Sequence, residues 1–285
     1  MLIQHIALVS EFAAIDASGL ARVCAAIQKQ ITRDLAPAWG ISATIDAFPR
    51  LEEIPPGYWP IIVTAAGLPA GLAGVHSDDA HQPLAYVEWS EGWSITASHE
   101  CIEMLVDPSG NRLVSGRSPV SDDDRAEYLV EVCDPCQSAE FAYPINDTLV
   151  SDFCTPEYYD AVPRSGARYC FSGAIQRPRE VLPGGYLSWR EPRSADWWQV
   201  DGQGTRRCIG PLPPGGGSLR ARVDRTTRDH LLPTKMSNEQ LCLRLGTRRE
   251  HADMAAKGRA DRIRALRHRF EQQSSTLTTS KGRDA

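Results

Sequence analysis

The chain has 285 residues, 42% of them hydrophobic and 24% charged, long enough for one large domain or two small ones. No uninterrupted apolar run reaches the ~20 residues of a membrane helix, and the N-terminus lacks a basic flank and a small-residue cleavage site. Neither a membrane protein nor a secretory signal is therefore expected, and the cytoplasm is the default. Residues 1–100 carry 4 Lys or Arg against 11 Asp or Glu, residues 101–200 carry 9 against 16, and residues 201–285 carry 18 against 9. An acidic body is followed by a basic extension. The eight cysteines do not call for a disulfide framework in a chain of this length, and most are expected to be reduced and buried.

In chain order, Leu20, Val23, Cys24, Ile27, Ile31 and Leu35 recur at helical steps of three and four, with Asp16 or Ser18 as cap and Pro37 as stop. Ile41–Ile45, Tyr58–Ala65 and Leu84–Trp89 read as strands. Between the last two lies a glycine- and aspartate-containing loop with His76 and His81, each more often solvent-facing than part of a site. Ser94–Pro108 reads as a second helix: Ile95, Ile102 and Leu105 line its apolar face, Ser94 or Thr96 caps it, and Pro108 and Gly110 end it. Tyr128–Cys133 is either a short strand or a helix, broken by Asp134-Pro135. Thr148–Phe153, Tyr169–Phe171 and Tyr186–Trp189 are short strands or ordered loops among many prolines and glycines. After the flexible break Pro211–Gly217, Leu219, Ala221 and Val223 alternate with Arg220, Arg222 and Asp224, the pattern of a strand or extended arm. Residues 238–270 read as an Arg-rich helix, and 274–285 as a polar tail.

Residues four apart on a helix share a side, so His99 and Glu103 project together, with Asp107 one turn further on. Glu100 is rotated about a quarter-turn away, placed to manage a proton rather than to bind a metal. An imidazole with carboxylates suits zinc, with calcium and manganese as weaker alternatives. The third ligand must come from elsewhere: Glu131 is the first choice and Asp107 the second. Cys133-Asp-Pro-Cys136 has spacing compatible with a metal site, a redox pair or simply packed thiols.

His99-Glu100-Cys101-Ile102-Glu103 resembles the HExxH helix of zincin metallopeptidases, with Glu103 in place of the second histidine. The resemblance covers roughly residues 15–110. It implies zinc ligation by His99 and Glu103, a general-base role for Glu100, and an oxyanion donor at Tyr158 or Tyr159. It also implies a peptide or protein substrate. Ser98-His99-Glu100 with Glu103-Met104 and Asp107-Pro108 also resembles uncharacterised phage-like and bacterial proteins, for which no function carries over.

The expected architecture is therefore α+β, a zincin-like mixed sheet packed on helices over residues 1–210 with an irregular Pro/Gly-rich second half. Residues 211–285 form a basic linker, helix and tail. Residues 244–269 hold 9 Lys or Arg against 3 acidic residues, which suits nucleic-acid phosphates, docking on an acidic surface in an oligomer or assembly, or plain solvation. The expected activity is zinc-dependent amide hydrolysis. The alternatives are a non-enzymatic structural or assembly protein on a zincin-like scaffold, and a nucleic-acid-associated protein.

Overall fold

A computed structural model describes residues 3–65, 68, 73–79, 82–121 and 125–227. The anticipated basic helix at 238–270, the tail and His81 lie outside these residues. The fold is α+β: helices pack against sheets, and no described helix is long and apolar enough to cross a membrane.

Strand β1 (Gln4–Ser10), absent from the sequence expectation, is central to the first sheet, with Ile6, Ala7, Leu8 and Val9 almost wholly buried. It pairs in parallel with β2 (Ala43–Phe48) on one side and β3 (Trp59–Thr64) on the other. Helix α1 (Ala17–Gln30) connects β1 to β2. Asp16 caps it, its carboxylate accepting the Gly19 N–H at 2.7 Å. Pro37 was expected to end this helix. Instead the chain continues through a wider π turn, Ile31–Leu35, into a short helix α2 (Ala36–Trp39) and stops at Gly40, whose φ is 68°. Proline lacks an N–H and collides with the carbonyl four residues back. The π turn, in which the Ala36 N–H donates to the Ile31 carbonyl, widens the ladder just where that collision would fall.

Strand β5 (Gln82–Glu88) adds parallel to β3, and β4 (Gly74–Asp79) closes the edge antiparallel to β5, giving the order β2-β1-β3-β5-β4. The segment expected as a histidine-bearing loop is thus an edge strand, and it buries His76. The motif helix α3 (Trp93–Val106) follows β5 and packs on β3, β4 and β5. It begins at Gly92 with no side-chain cap; Ser94 donates instead to the Leu149 carbonyl at 2.8 Å.

The second half is more regular than expected. β6 (Leu113–Arg117) and β7 (Arg125–Leu129) join, after the small hairpin of β8 (Tyr143–Ile145) and β9 (Thr148–Val150), with β10 (Tyr186–Arg190), β11 (Trp197–Asp201) and β12 (Arg206–Gly210). The larger sheet is antiparallel, ordered β12-β11-β10-β7-β6. One core cluster spans both sheets, running from Ile6, Leu8 and Val63 through Ile27 and Ile102 to Tyr128, Phe153 and Trp189.

Residues expected as a strand or extended arm form helix α4 (Leu219–Thr227) instead. Ser218 starts it: its Oγ accepts the Ala221 N–H at 3.1 Å, and its carbonyl accepts the Arg222 N–H at 3.1 Å. The buried positions are Arg220, Val223 and Thr227, a helical spacing. The two-residue alternation was coincidental, because burial follows the three- and four-residue steps of a helix. Val223 packs with Leu129 and Trp197, so this segment beyond residue 211 belongs to the same compact unit as the sheets.

Candidate metal centre

Helix α3 carries the core of the site. Its middle is clamped by Ser98, whose Oγ donates to the Ile95 carbonyl at 2.9 Å and accepts the Ser151 N–H at 2.6 Å. One turn apart on the buried side, His99 Nε2 and Glu103 Oε2 lie 3.2 Å from each other. The other carboxylate oxygen of Glu103 accepts the backbone N–H of Cys133 at 3.0 Å, which fixes the rotamer.

Three further elements converge on this pair. The chain leaving β7 brings Glu131 and then Asp134, whose Oδ1 lies 3.4 Å from His99 Nε2. Edge strand β4 brings His76, whose Nδ1 faces Glu100 Oε2 at 3.3 Å and Glu103 Oε2 at 3.8 Å. Helix α4 inserts Arg220, which is 4% exposed. Its guanidinium lies 2.7 Å from Glu131 Oε2, 3.2 Å from Glu103 Oε2 and 3.3 Å from Glu100 Oε2, and its Nη1 also meets His76 Nδ1. Asp224, one turn along α4, is 3.7 Å from Arg220 Nε.

Ligand-capable atoms fall into three overlapping triads: His99, Glu103 and Cys133; His76, Glu100 and Glu103; and Glu103, Glu131 and Asp134. Within each, the atoms lie no more than 4.8 Å apart. Glu103 belongs to all three. Two carboxylate charges 4.8 Å apart repel by about 3 kcal/mol at an effective permittivity of 20, so this many buried carboxylates cannot ionise together without cations or protons. Arg220 is one such cation. Burial raises Glu131, Asp134 and Asp224 above the usual carboxylate range, Asp224 to about 7. Burial acts the same way on Glu100 and Glu103, but Arg220 together with the histidines outweighs it, and both stay low. His99 loses hydration as well, yet Glu103 and Asp134 hold its pKa well above the ordinary imidazole value.

Hydrogen bonding within the cluster is still incomplete. Glu103 Oε2, both oxygens of Glu131, Asp134 Oδ2 and His76 Nε2 are buried without a hydrogen-bond partner; the Arg220–Glu131 contact is an ion pair without hydrogen-bond alignment. Orphaned buried acceptors at this density mark a place for a cation or ordered water. The cluster is a plausible site for a divalent metal.

Of the anticipated site residues, His99, Glu100, Glu103 and Glu131 lie together. Asp107 does not join them: it ends α3, where its carboxylate accepts the Arg112 N–H at 2.7 Å. The two tyrosines are the buried residues of a 3-10 turn, Pro156–Tyr159, and neither phenol oxygen has a hydrogen-bond partner. Burial raises both. After burial, Cys154 is the next influence on both; Glu131, Glu103 and Asp134 then add to Tyr159, and Tyr159 and Cys136 add to Tyr158. Cys133 and Cys136 are free buried thiols, and Cys133 Sγ contacts the His99 carbonyl at 3.7 Å.

Asp134 and Arg220 escaped the sequence reading as site members. A carboxylate spaced Glu131-Val-Cys-Asp134 beside the paired cysteines was a usable signal for the first. For Arg220 no local signal exists, since it is one arginine among many in a basic region. No protein-family model, curated protein or solved structure matches the chain.

Proposed function

We propose that the cluster is the metal centre of a zincin-like hydrolase that cleaves amide bonds in peptides or proteins. The observation that carries this reading is the spacing of His99 Nε2 from Glu103 Oε2 and Asp134 Oδ1, 3.2 and 3.4 Å. A tetrahedral ion with bonds of ~2.0–2.2 Å has ligand–ligand edges of roughly 3.3–3.6 Å. The orphaned carboxylate oxygens and the sheet ahead of α3, four parallel strands with an antiparallel edge, support the same reading.

His99, Glu103 and one of Asp134 or Glu131 would hold the ion, zinc by preference. Bound there, it supplies Lewis acidity toward a carbonyl oxygen and lowers the pKa of a water toward ~7. Glu100 takes the proton of the attacking water and passes it to the leaving amine. The Tyr159 phenol donates a hydrogen bond to the developing oxyanion. Equilibrium dialysis against saturating zinc tests the site: one equivalent is expected in the wild type and none in His99→Ala. A folded wild type that takes up no divalent ion overturns the reading.

One observation favours a second reading. Arg220 already neutralises part of the cluster, as a non-enzymatic scaffold that had lost its ion would require. A folded protein that takes up no divalent ion and hydrolyses no peptide in a broad panel would support it.

A further inference from the structure

The guanidinium of Arg220 stands where cationic charge is most needed. It contacts every member of the triad His76, Glu100 and Glu103, and also Glu131. Its Nη2 lies 3.2 Å from Glu103 Oε2, the same oxygen that faces His99 Nε2 at 3.2 Å. A divalent ion seated between His99 and Glu103 would therefore share one buried oxygen with a second cation, with no solvent to screen them. Arg220 also engages Glu100 directly, so the group placed to take a proton is tied up.

The helix that delivers Arg220 is short, nine residues, and enters from a proline- and glycine-rich lead. It follows the segment Pro211-Leu-Pro-Pro-Gly-Gly-Gly217, and Gly217 has a φ of 100°. Beyond the Arg220 ion pairs, the helix is held by its N-terminal backbone and by the Leu219 and Val223 side chains. The Leu219 N–H donates to Asn111 Oδ1 at 2.8 Å and the Arg220 N–H to the Gly110 carbonyl at 3.0 Å. Val223 packs in a small cluster with Leu129 and Trp197, separate from the main core. Gly110 and Asn111 lie just after α3, so the latch closes on the end of the motif helix itself.

We propose that α4 is an intramolecular latch: Arg220 is a surrogate cation that holds the site closed, and a divalent metal must displace it. This rests on the cluster being a metal centre. Zinc affinity measured by competition with a chromophoric chelator, for the full-length wild type and Arg220→Met, tests it. The variant is expected to bind at least tenfold more tightly. Equal or weaker binding by a folded variant overturns the latch and leaves the metal centre standing. Absence of binding in both proteins at saturating zinc overturns the two together. Because Arg220→Met removes a cation from among buried carboxylates, hydrogen exchange on the wild type gives a readout that needs no variant. Zinc is expected to speed exchange of the backbone amides of residues 219–227. One equivalent of zinc bound with that exchange unchanged or slowed would sink the proposal.

Discussion

The backbone N–H of Cys133 donates to Oε1 of Glu103 at 3.0 Å and so turns Oε2 toward His99, Arg220 and His76. A residue on the motif helix is thus aimed by the chain that leaves β7, and the aim is what makes Glu103 common to all three ligand triads. Glu103→Gln keeps the shape but removes the charge opposite two buried cationic groups. It is expected to destabilise the fold by about 3–5 kcal/mol, as breaking one side of a buried ion pair does, and to abolish zinc uptake. Urea denaturation and elemental analysis measure the two effects.

Glu100→Gln separates proton handling from metal holding. Zinc content is expected to equal that of the wild type, while turnover of a cleavable peptide falls by about 10²–10⁴-fold. Normal turnover in that variant removes Glu100 from the chemistry.

Gly74 on β4 approaches α3 so closely that an added Cβ would lie 2.6 Å from Glu100 Oε1 and 2.6 Å from Thr96 Cγ2. Gly74→Ala is therefore expected to push Glu100 aside without touching His99 or Asp134. Since a displacement near 1 Å costs on the order of 10² in rate, turnover should drop about a hundredfold at unchanged zinc content. A rate within twofold of wild type would show that the Glu100 position tolerates the shift.

The third ligand is decided by comparing Asp134→Ala, Glu131→Ala and Asp107→Ala. Asp134 lies 3.4 Å from His99 Nε2, whereas Asp107 is occupied with the Arg112 N–H. Loss of zinc is expected for Asp134→Ala, weakening for Glu131→Ala, and full retention for Asp107→Ala. Zinc lost only in the last of these would reverse the assignment.

Metal binding should release protons. In the metal-free protein the pKa of His99 is held well above its ordinary value despite burial, chiefly by Glu103, and burial raises Asp134 and Glu131. Groups with raised values keep their protons as pH climbs toward neutrality, and a metal must displace them. Zinc affinity is therefore expected to rise with pH through the neutral range, and calorimetry in buffers of different ionisation enthalpy should report net proton release. Affinity independent of pH would mean that these groups are not ligands.

What the sequence determined by itself was local. The side-by-side placement of His99 and Glu103 follows from helical spacing alone, as does the amphipathic stripe of α1, and Pro108 sets the end of α3. Strands with strong apolar runs, such as Ile61-Ile62-Val63, were legible for the same reason. Tertiary structure decided the rest. β1 owes its state to partners far along the chain, and β4 to folding back onto β5, which buries His76 beside the site instead of leaving it in a loop. Asp134 reaches His99 only because β7 delivers the following turn beside α3. Arg220, more than a hundred positions from Glu103, meets it only because Ser218 starts a helix where the side-chain pattern read as extended. Spacing along a helix is a property of a few consecutive residues. Counter-charge in a buried cluster is a property of everything packed around it, and no window of the sequence contains that.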